Sequence, residues 1–373
     1  MSNYRIISSD NHVFELPDLW QSRIESKFKD RAPRIHREDD GDWWYCDGNK
    51  LEGAGFGFAG AQTGRRFEEA ENLTHGDLFE NIRPGGYIPE EQIKDMQLDG
   101  VDVSILYPTA GLQLYKVPDS LLLTAMLRTY NDWLAEFCEA SPDRLKGIAM
   151  INIDDVSEGS SDLEHRAKQG FVGAMIPVYP PEDRRYDSPE YDHFWGAAQD
   201  LEMPLSLHIA TNRFGSGEGS RAGGARVGIA PNADFFPRAS ISDLILSGVF
   251  ERFPKLQVGA VEHELGWAPF FLSRLDYTYD QQGFGREGYR FKEDMKPSDY
   301  FHRNVFLGFQ EDELGIRLRD MIGVDNLQWG SDYPHMESTF PKSQEILEDI
   351  LADCTEEEKA KIAGGNAARV YRL

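Results

Sequence analysis

The chain has 373 residues, and 39 Lys and Arg set against 64 Asp and Glu leave a formal charge of −25. Hydrophobic residues at 40% and aromatics at 12% supply a large core and exclude a disordered chain. So acidic a surface lacks the cationic footprint that a nucleic-acid backbone or an anionic membrane demands, and neither is expected as a partner.

Cys46, Cys138 and Cys354 stand far apart, odd in number and without a C-x-x-C pair. They read as reduced thiols, neither a disulfide framework nor a cysteine zinc site. The N-terminal MSNYRIISSD enters a strand-like pattern at once, with no leader signature, and apolar stretches such as Leu121–Leu123 are too short to cross a membrane. A cytoplasmic protein is expected.

Short apolar runs rich in β-formers alternate with longer amphipathic segments. Strands are predicted near Tyr4–Ser8, Val101–Tyr107, Leu145–Ile153, Phe171–Val178, Pro204–His208, Leu256–His263, Asn304–Phe309 and Leu327–Ser331. Helices are predicted near Pro89–Leu98, Asp119–Ala140, Ser157–Gln169, Pro189–Leu201, Phe235–Phe253, Leu265–Gln281 and Glu311–Ile322, with two more near Pro341–Leu351 and Thr355–Ala363. Thr355 and Glu358 have capping-box spacing, Gly364-Gly365 is expected to stop that last helix, and Ser188-Pro189 opens another. Eight strands separated by helices predict an α/β fold, a (β/α)₈ TIM barrel spanning 1–373 as one domain. An open doubly wound sheet is the alternative, because strand order is not written in the sequence.

Two segments break the alternation. Residues 30–88 hold a predicted hairpin at Trp43-Trp44-Tyr45 with its turn at Asp47-Gly48-Asn49, then the glycine-rich GAGFGFAG at 53–60. We read this as a β-containing insertion after strand 1 that covers the barrel mouth or forms a subunit interface, its aromatics either exposed for a homo-oligomeric contact or folded back over the mouth. The second, RFGSGEGSRAGGARVG at 213–228, follows the fifth strand. Neither glycine run has phosphate-cradling spacing.

Polar residues close the apolar strands. The first ends in Ser9-Asp10-Asn11-His12, the fifth in His208, the sixth in His263 and the eighth in Asp332. In a closed barrel these ends meet at one mouth. Asp10, His12, His208 and Asp332 are the imidazole and carboxylate types that hold one divalent ion, Zn²⁺ or Mn²⁺. His263 is expected as an acid/base group, with Asp332 sharing the proton work. His335 is expected to line the pocket, and Glu262 and Glu264 flank His263 with one facing inward and the other the helix layer. Arg213, Arg221 and Arg238 lie near the fifth-strand loop, and Arg213 is the expected holder of a substrate carboxylate. His36, His75, His165, His193 and His302 read as structural or surface residues.

Five stretches together resemble the amidohydrolase superfamily, and more narrowly the amidohydrolase-2 family typified by aminocarboxymuconate-semialdehyde decarboxylase. They are SSDNHVFELPDLW at 8–20, PLSLHIA at 204–210, VGAVEHELGWAPFFLSRLD at 258–276, WGSDYPHMEST at 329–339 and KIAGGNAARVYRL at 361–373. The resemblance implies a metal-dependent barrel enzyme in which Asp10, His12, His208 and Asp332 match ligand positions and His263 the acid/base histidine. Many relatives begin with His-x-His, and the Asp-x-His here is closer to the Glu-x-His of the family's aromatic-acid decarboxylases. The fourth strand, Val172–Tyr179, lacks the lysine that bridges two ions in binuclear relatives, which implies one ion. The expected activity is non-oxidative decarboxylation of an aromatic or conjugated unsaturated acid, a small organic acid being the substrate. The alternative is hydrolysis of an amide, lactone or carbon–carbon bond by metal-activated water, and a non-catalytic ligand-binding barrel is the third reading.

Overall fold

The computed structural model describes residues 4–51, 53, 55–213, 230–281 and 290–373. The chain opens with strand β1 (Ile7–Val13) and continues into a small antiparallel sheet of β2 (Arg34–Glu38), β3 (Gly41–Cys46) and β4 (Asn49–Lys50). Then come β5 (Val103–Pro108), β6 (Leu145–Met150), β7 (Gly173–Ile176), β8 (Leu205–His208), β9 (Val258–Val261), β10 (Val305–Phe309) and β11 (Leu327–Trp329). With β1 these seven form one parallel sheet in the order β1-β5-β6-β7-β8-β9-β10-β11, flanked by helices. That is the (β/α)₈ barrel expected.

The barrel is drawn shut just past β11. The Asp332 amide donates to the Asp10 carbonyl at 2.8 Å, the His12 amide to the Tyr333 carbonyl at 2.5 Å, and the Ser331 amide to Ser8 Oγ at 2.8 Å. Gly330 permits this approach, since a Cβ there would stand 2.7 Å from Asp10 Cβ. The seam therefore sets two predicted ligands, Asp10 and Asp332, side by side.

Every position of β1, β5, β7, β8, β9, β10 and β11 is buried, as apolar strands covered by helices require. Several helix starts follow local chemistry. The Asp119 carboxylate accepts from the amides of Leu121 and Leu122 ahead of Ser120–Glu139, Asp155 caps Val156–Lys168, and Thr355 with Glu358 closes a capping box.

The differences have physical causes. The first strand starts at Ile7 and runs through Asp10 and His12, because pairing to β5 carries extended backbone past the apolar run. The long segment from Phe235 splits into Phe235–Leu246 and Val249–Arg252 at Gly248, whose φ is +77°. Gly364-Gly365 does not stop the last helix: the chain continues as a wider turn over Lys361–Gly365 into Asn366–Tyr371. Gly364 lies against β1 instead, where a Cβ would come 2.4 Å from the Arg5 carbonyl oxygen.

The hairpin turn is confirmed, with Asp47 and Gly48 at φ +50° and +78°. Of the two readings left open for its aromatics, exposure for a homo-oligomeric contact is not the one seen for the tryptophans. Trp44 is fully buried, edge-on to Trp20 with ring centres 5.4 Å apart, and Trp43 is buried with Lys50 Nζ 3.6 Å from its ring centre. Tyr45 is half-buried and donates to Glu38 Oε1 at 2.5 Å. Apolar burial against the barrel's first helix, Leu19–Arg23, outweighs display.

Candidate metal centre and active site

β1 supplies Asp10 and His12, alternate residues of an extended chain and so on one side of it. Asn11 points the other way, accepting from Ser8 Oγ at 2.8 Å and donating to Ser104 Oγ at 2.7 Å. β8 delivers His208, the turn after β9 Glu262, and the turn after β11 Asp332. Glu262 and Asp332 both sit in the left-handed region, at φ +59° and +62°, a conformation that non-glycine residues keep where surrounding structure enforces it.

The two histidines are oriented by main-chain carbonyls. His12 Nδ1 lies 2.7 Å from the Pro108 oxygen and His208 Nδ1 lies 3.0 Å from the Ile209 oxygen. Each Nδ1 therefore carries the hydrogen, and each Nε2 lone pair is left for the cluster. His12 Nε2 is 3.5 Å from Asp10 Oδ1 and 3.1 Å from Asp332 Oδ1. His208 Nε2 is 3.4 Å from Asp10 Oδ1 and 3.5 Å from Glu262 Oε2. Asp10, His12, His208 and Glu262 each present one donor atom within 4.8 Å of the others, and Asp332 joins through His12.

Asp10 Oδ1, His12 Nε2, His208 Nε2, Glu262 Oε2 and Asp332 Oδ2 are buried without a hydrogen-bond partner. One such group costs about 1–3 kcal/mol, so the four that lie within 4.8 Å of one another, with Asp332 adjoining through His12, call for a shared partner. Two imidazole nitrogens among carboxylate oxygens are the donor set of a divalent transition-metal ion, and the residues fit one.

Burial and crowding set the charges here. Burial pushes the Glu262 carboxyl well above the usual range, and Asp332 and Asp10 add to the effect. Asp332 is raised to about 6, by burial first and against the pull of His12. Asp10 goes the other way: burial would raise it, but His208 and His12 outweigh burial. Such separation of like groups is what crowded carboxylates undergo.

The remaining candidates divide. His263 is buried beside the cluster and lines its cavity, but burial and then His208 lower it to about 3, leaving a neutral imidazole. Glu264 does not face the helix layer. It lines the same cavity as Glu262, because β9 ends at Val261 and strand alternation ends with it. His335 is buried and stacked on His12 with ring centres 4.0 Å apart, its Nδ1 2.8 Å from Asp332 Oδ1 and its Nε2 3.2 Å from Thr109 Oγ1. It braces Asp332 and His12.

Arg213 does not reach the cluster. Its guanidinium pairs with Asp154 and donates to the carbonyls of Tyr115 and Val117. Arg221 and the glycine-rich 214–228 lie outside the described residues. A residue the sequence reading missed is Glu15, buried at the far end of β1, whose carboxylate accepts from the amides of Ala110 and Gly111 at 2.9 and 2.8 Å. It pins the segment after β5 that carries Thr109.

The donor cluster opens through Glu262 into a cavity of about 880 Å³, walled by Ile209, Trp267 and Leu314 and rimmed by Glu337 and Arg238. The first glycine-rich segment packs beside it. The Met336 amide donates to the Phe58 carbonyl at 2.7 Å, and the Phe58 ring centre is 5.6 Å from that of His335. Among the described residues no helix is long and apolar enough to cross a membrane.

Known proteins place this architecture. A gamma-resorcylate decarboxylase from Polaromonas is 26% identical over 77% of this chain and 88% of its own length. An amidohydrolase from Mycobacterium avium subsp. paratuberculosis superposes with a TM-score of 0.80 at 20% identity, all of both chains being covered. A 5-carboxyvanillate decarboxylase from Novosphingobium aromaticivorans, solved with manganese and 4-hydroxy-3-methoxy-5-nitrobenzoic acid, superposes at 0.68 with 21% identity, covering 100% of this chain and 97% of its own. At such identities the two structures speak for the fold alone. The family model described as amidohydrolase matches residues 74–373, so the chain belongs to the amidohydrolase-2 family.

Proposed function

We propose that this chain is a metal-dependent carboxy-lyase that removes CO₂ from an aromatic or conjugated unsaturated acid. The observation that carries the reading is the gathering of four buried, unpartnered donor atoms from β1, β8 and the turn after β9, with Asp332 from the turn after β11 adjoining through His12. Asp10, His12, His208 and Asp332 would hold one divalent ion, and manganese, the ion of the 5-carboxyvanillate decarboxylase, suits the oxygen-rich set. When bound, such an ion supplies Lewis-acid charge that holds anionic substrate oxygens and offsets negative charge as CO₂ departs. The gamma-resorcylate decarboxylase relative supports the choice of chemistry.

The chain's own groups handle the proton. Glu262, the carboxyl that joins the donor cluster to the cavity, gives its proton to the carbon bearing the substrate carboxylate. The bond from that carbon to CO₂ breaks, its electron pair restores conjugation, and Glu262 recovers a proton from solvent. His263, a neutral imidazole on the same cavity wall, relays that proton by taking one at one ring nitrogen as it releases one from the other. His335 keeps Asp332 in place, and the 30–88 insertion roofs the mouth through Phe58. The unpaired thiols Cys46, Cys138 and Cys354 agree with a cytoplasmic setting.

The test is CO₂ release by manganese-loaded and metal-stripped protein offered hydroxylated aromatic and conjugated acids. Release that appears only with the metal supports the proposal. A fully loaded protein that releases none from the whole panel overturns it.

A further inference from the structure

Glu15 is a fully buried carboxyl that takes no part in the chemistry proposed above. Among the described residues it makes no ion pair, and its partners are main-chain amides. The reason lies in the turn it meets. After β5 the chain enters the short helix Gly111–Leu114, whose leading N–H groups have no acceptor within the helix, and Ala110 at its start has no side chain to cap them. Glu15 supplies the acceptors from two residues past β1, its Oε2 taking the Ala110 amide at 2.9 Å and its Oε1 the Gly111 amide at 2.8 Å. The turn has little slack. A Cβ on Gly111 would stand 2.6 Å from Pro108 Cβ and 2.9 Å from Met150 Sδ.

The two residues just before those amides both reach the metal cluster. The Pro108 carbonyl accepts from His12 Nδ1 at 2.7 Å. Thr109 Oγ1 is 3.2 Å from His335 Nε2, and His335 Nδ1 is 2.8 Å from Asp332 Oδ1. One ligand on β1 and another beyond β11 thus take their orientation from residues 108 and 109. Glu15 follows His12 by three residues, so the carboxyl and the imidazole of one short stretch grip the same turn. A serine or asparagine at position 110 would cap the helix without burying a carboxyl, but it would not tie the turn to the strand that bears His12.

We infer that Glu15 is a positioning residue of the metal centre, fixing the Pro108 carbonyl that orients His12 and the Thr109 hydroxyl that orients Asp332 through His335. The inference rests on the metal reading of the cluster and not on which acid is decarboxylated.

The experiment reads the metal and the imidazole separately. Manganese is titrated, with the free ion followed by electron paramagnetic resonance, into wild type, Glu15→Gln, Thr109→Val and the double variant. Leu163→Ala, a truncation in the helix Val156–Lys168, controls for lost stability. Glu15→Gln keeps the shape, but its amide nitrogen cannot accept, so one of the two main-chain bonds is lost. It should weaken manganese binding about tenfold, as loss of a group that orients ligands does. Leu163→Ala, destabilised at least as much in urea, should stay within about twofold, as a distant site does. The double variant should fall short of the product of the single losses by about threefold or more, because one arm runs through Thr109. In metal-free, ¹⁵N-histidine-labelled protein at pH 7.5, NMR should show His12 with its hydrogen on Nδ1 in wild type and as a mixture of tautomers in Glu15→Gln.

Wild-type affinity in folded Glu15→Gln, a loss matched by Leu163→Ala, or a double variant whose loss equals the product would each overturn the inference. Should Glu15→Gln not fold, Glu15→Asp, with the carboxyl on a stem one methylene shorter, is held to the same readings. If wild type itself bound no manganese, the metal reading would fall, and the His12 tautomer would still decide for or against Glu15.

Discussion

His12 and His208 stand edge to face with ring centres 5.2 Å apart, and both direct Nε2 at one oxygen, Asp10 Oδ1, from 3.5 and 3.4 Å. Two strands that are not neighbours in the barrel are thereby tied to a single point. The arrangement predicts that the site fails as a unit. His12→Ala and His208→Ala should each drop manganese from about one equivalent per chain to under a tenth, measured by elemental analysis after gel filtration. Full metal content in either variant would refute the assignment.

The proton assignment separates Glu262 from its neighbour. Glu262→Gln keeps shape and a metal-facing oxygen but loses the acid, so metal content should hold while CO₂ release falls about 10²- to 10⁴-fold. His263→Asn should cost less. If His263→Asn were the deeper loss, the donor would be His263, one of the two residues, with Asp332, between which the sequence leaves the proton work open.

Gly330 lets the barrel seam close. A methyl group there would stand 2.7 Å from Asp10 Cβ and 3.0 Å from its amide nitrogen. Gly330→Ala leaves every donor in place yet displaces Asp10, and should weaken manganese binding at least tenfold by titration. Unchanged affinity would show that the seam does not set the ligand geometry.

Glu15 makes stability depend on pH. Burial raises its carboxyl to about 7 in the folded chain, although the Gly111 and Ala110 amides pull it down. An unfolded carboxyl loses its proton near 4.5, so the folded state binds more protons between these values. Its contribution is whole below about 4.5 and is lost as pH rises through about 7, roughly 3 kcal/mol in all. Glu15→Gln should flatten that part of the profile relative to wild type in urea unfolding at pH 5 and 7.5. Parallel profiles would contradict it.

Much of this was legible from residue order. Buried parallel strands read as apolar runs, and the polar residues ending them, Asp10, His12, His208 and Asp332, are those the structure gathers. What escaped depends on backbone geometry that composition does not encode. Glu262 turns toward His208 because φ turns positive just past Val261, which strand alternation cannot anticipate. Arg213 looked available because its partner Asp154 lies 59 positions away in sequence. Trp43 and Trp44 looked exposed because the partners that bury them, Trp20 and Lys50, are set by the three-stranded sheet's packing. Gly364 read as a stop signal, whereas its role is close approach to β1.

The central claim is proton-for-CO₂ exchange at the strand-end cluster, and the most direct measurement runs the reaction in D₂¹⁸O. Manganese-loaded protein is given the aromatic acid it turns over, and the product is examined by NMR and mass spectrometry. The account predicts one deuterium at the carbon that carried the carboxylate and no ¹⁸O in the organic product. Incorporation of ¹⁸O into that product, with no deuterium at the carbon, would mean that activated water attacks the substrate and that the chain is a hydrolase.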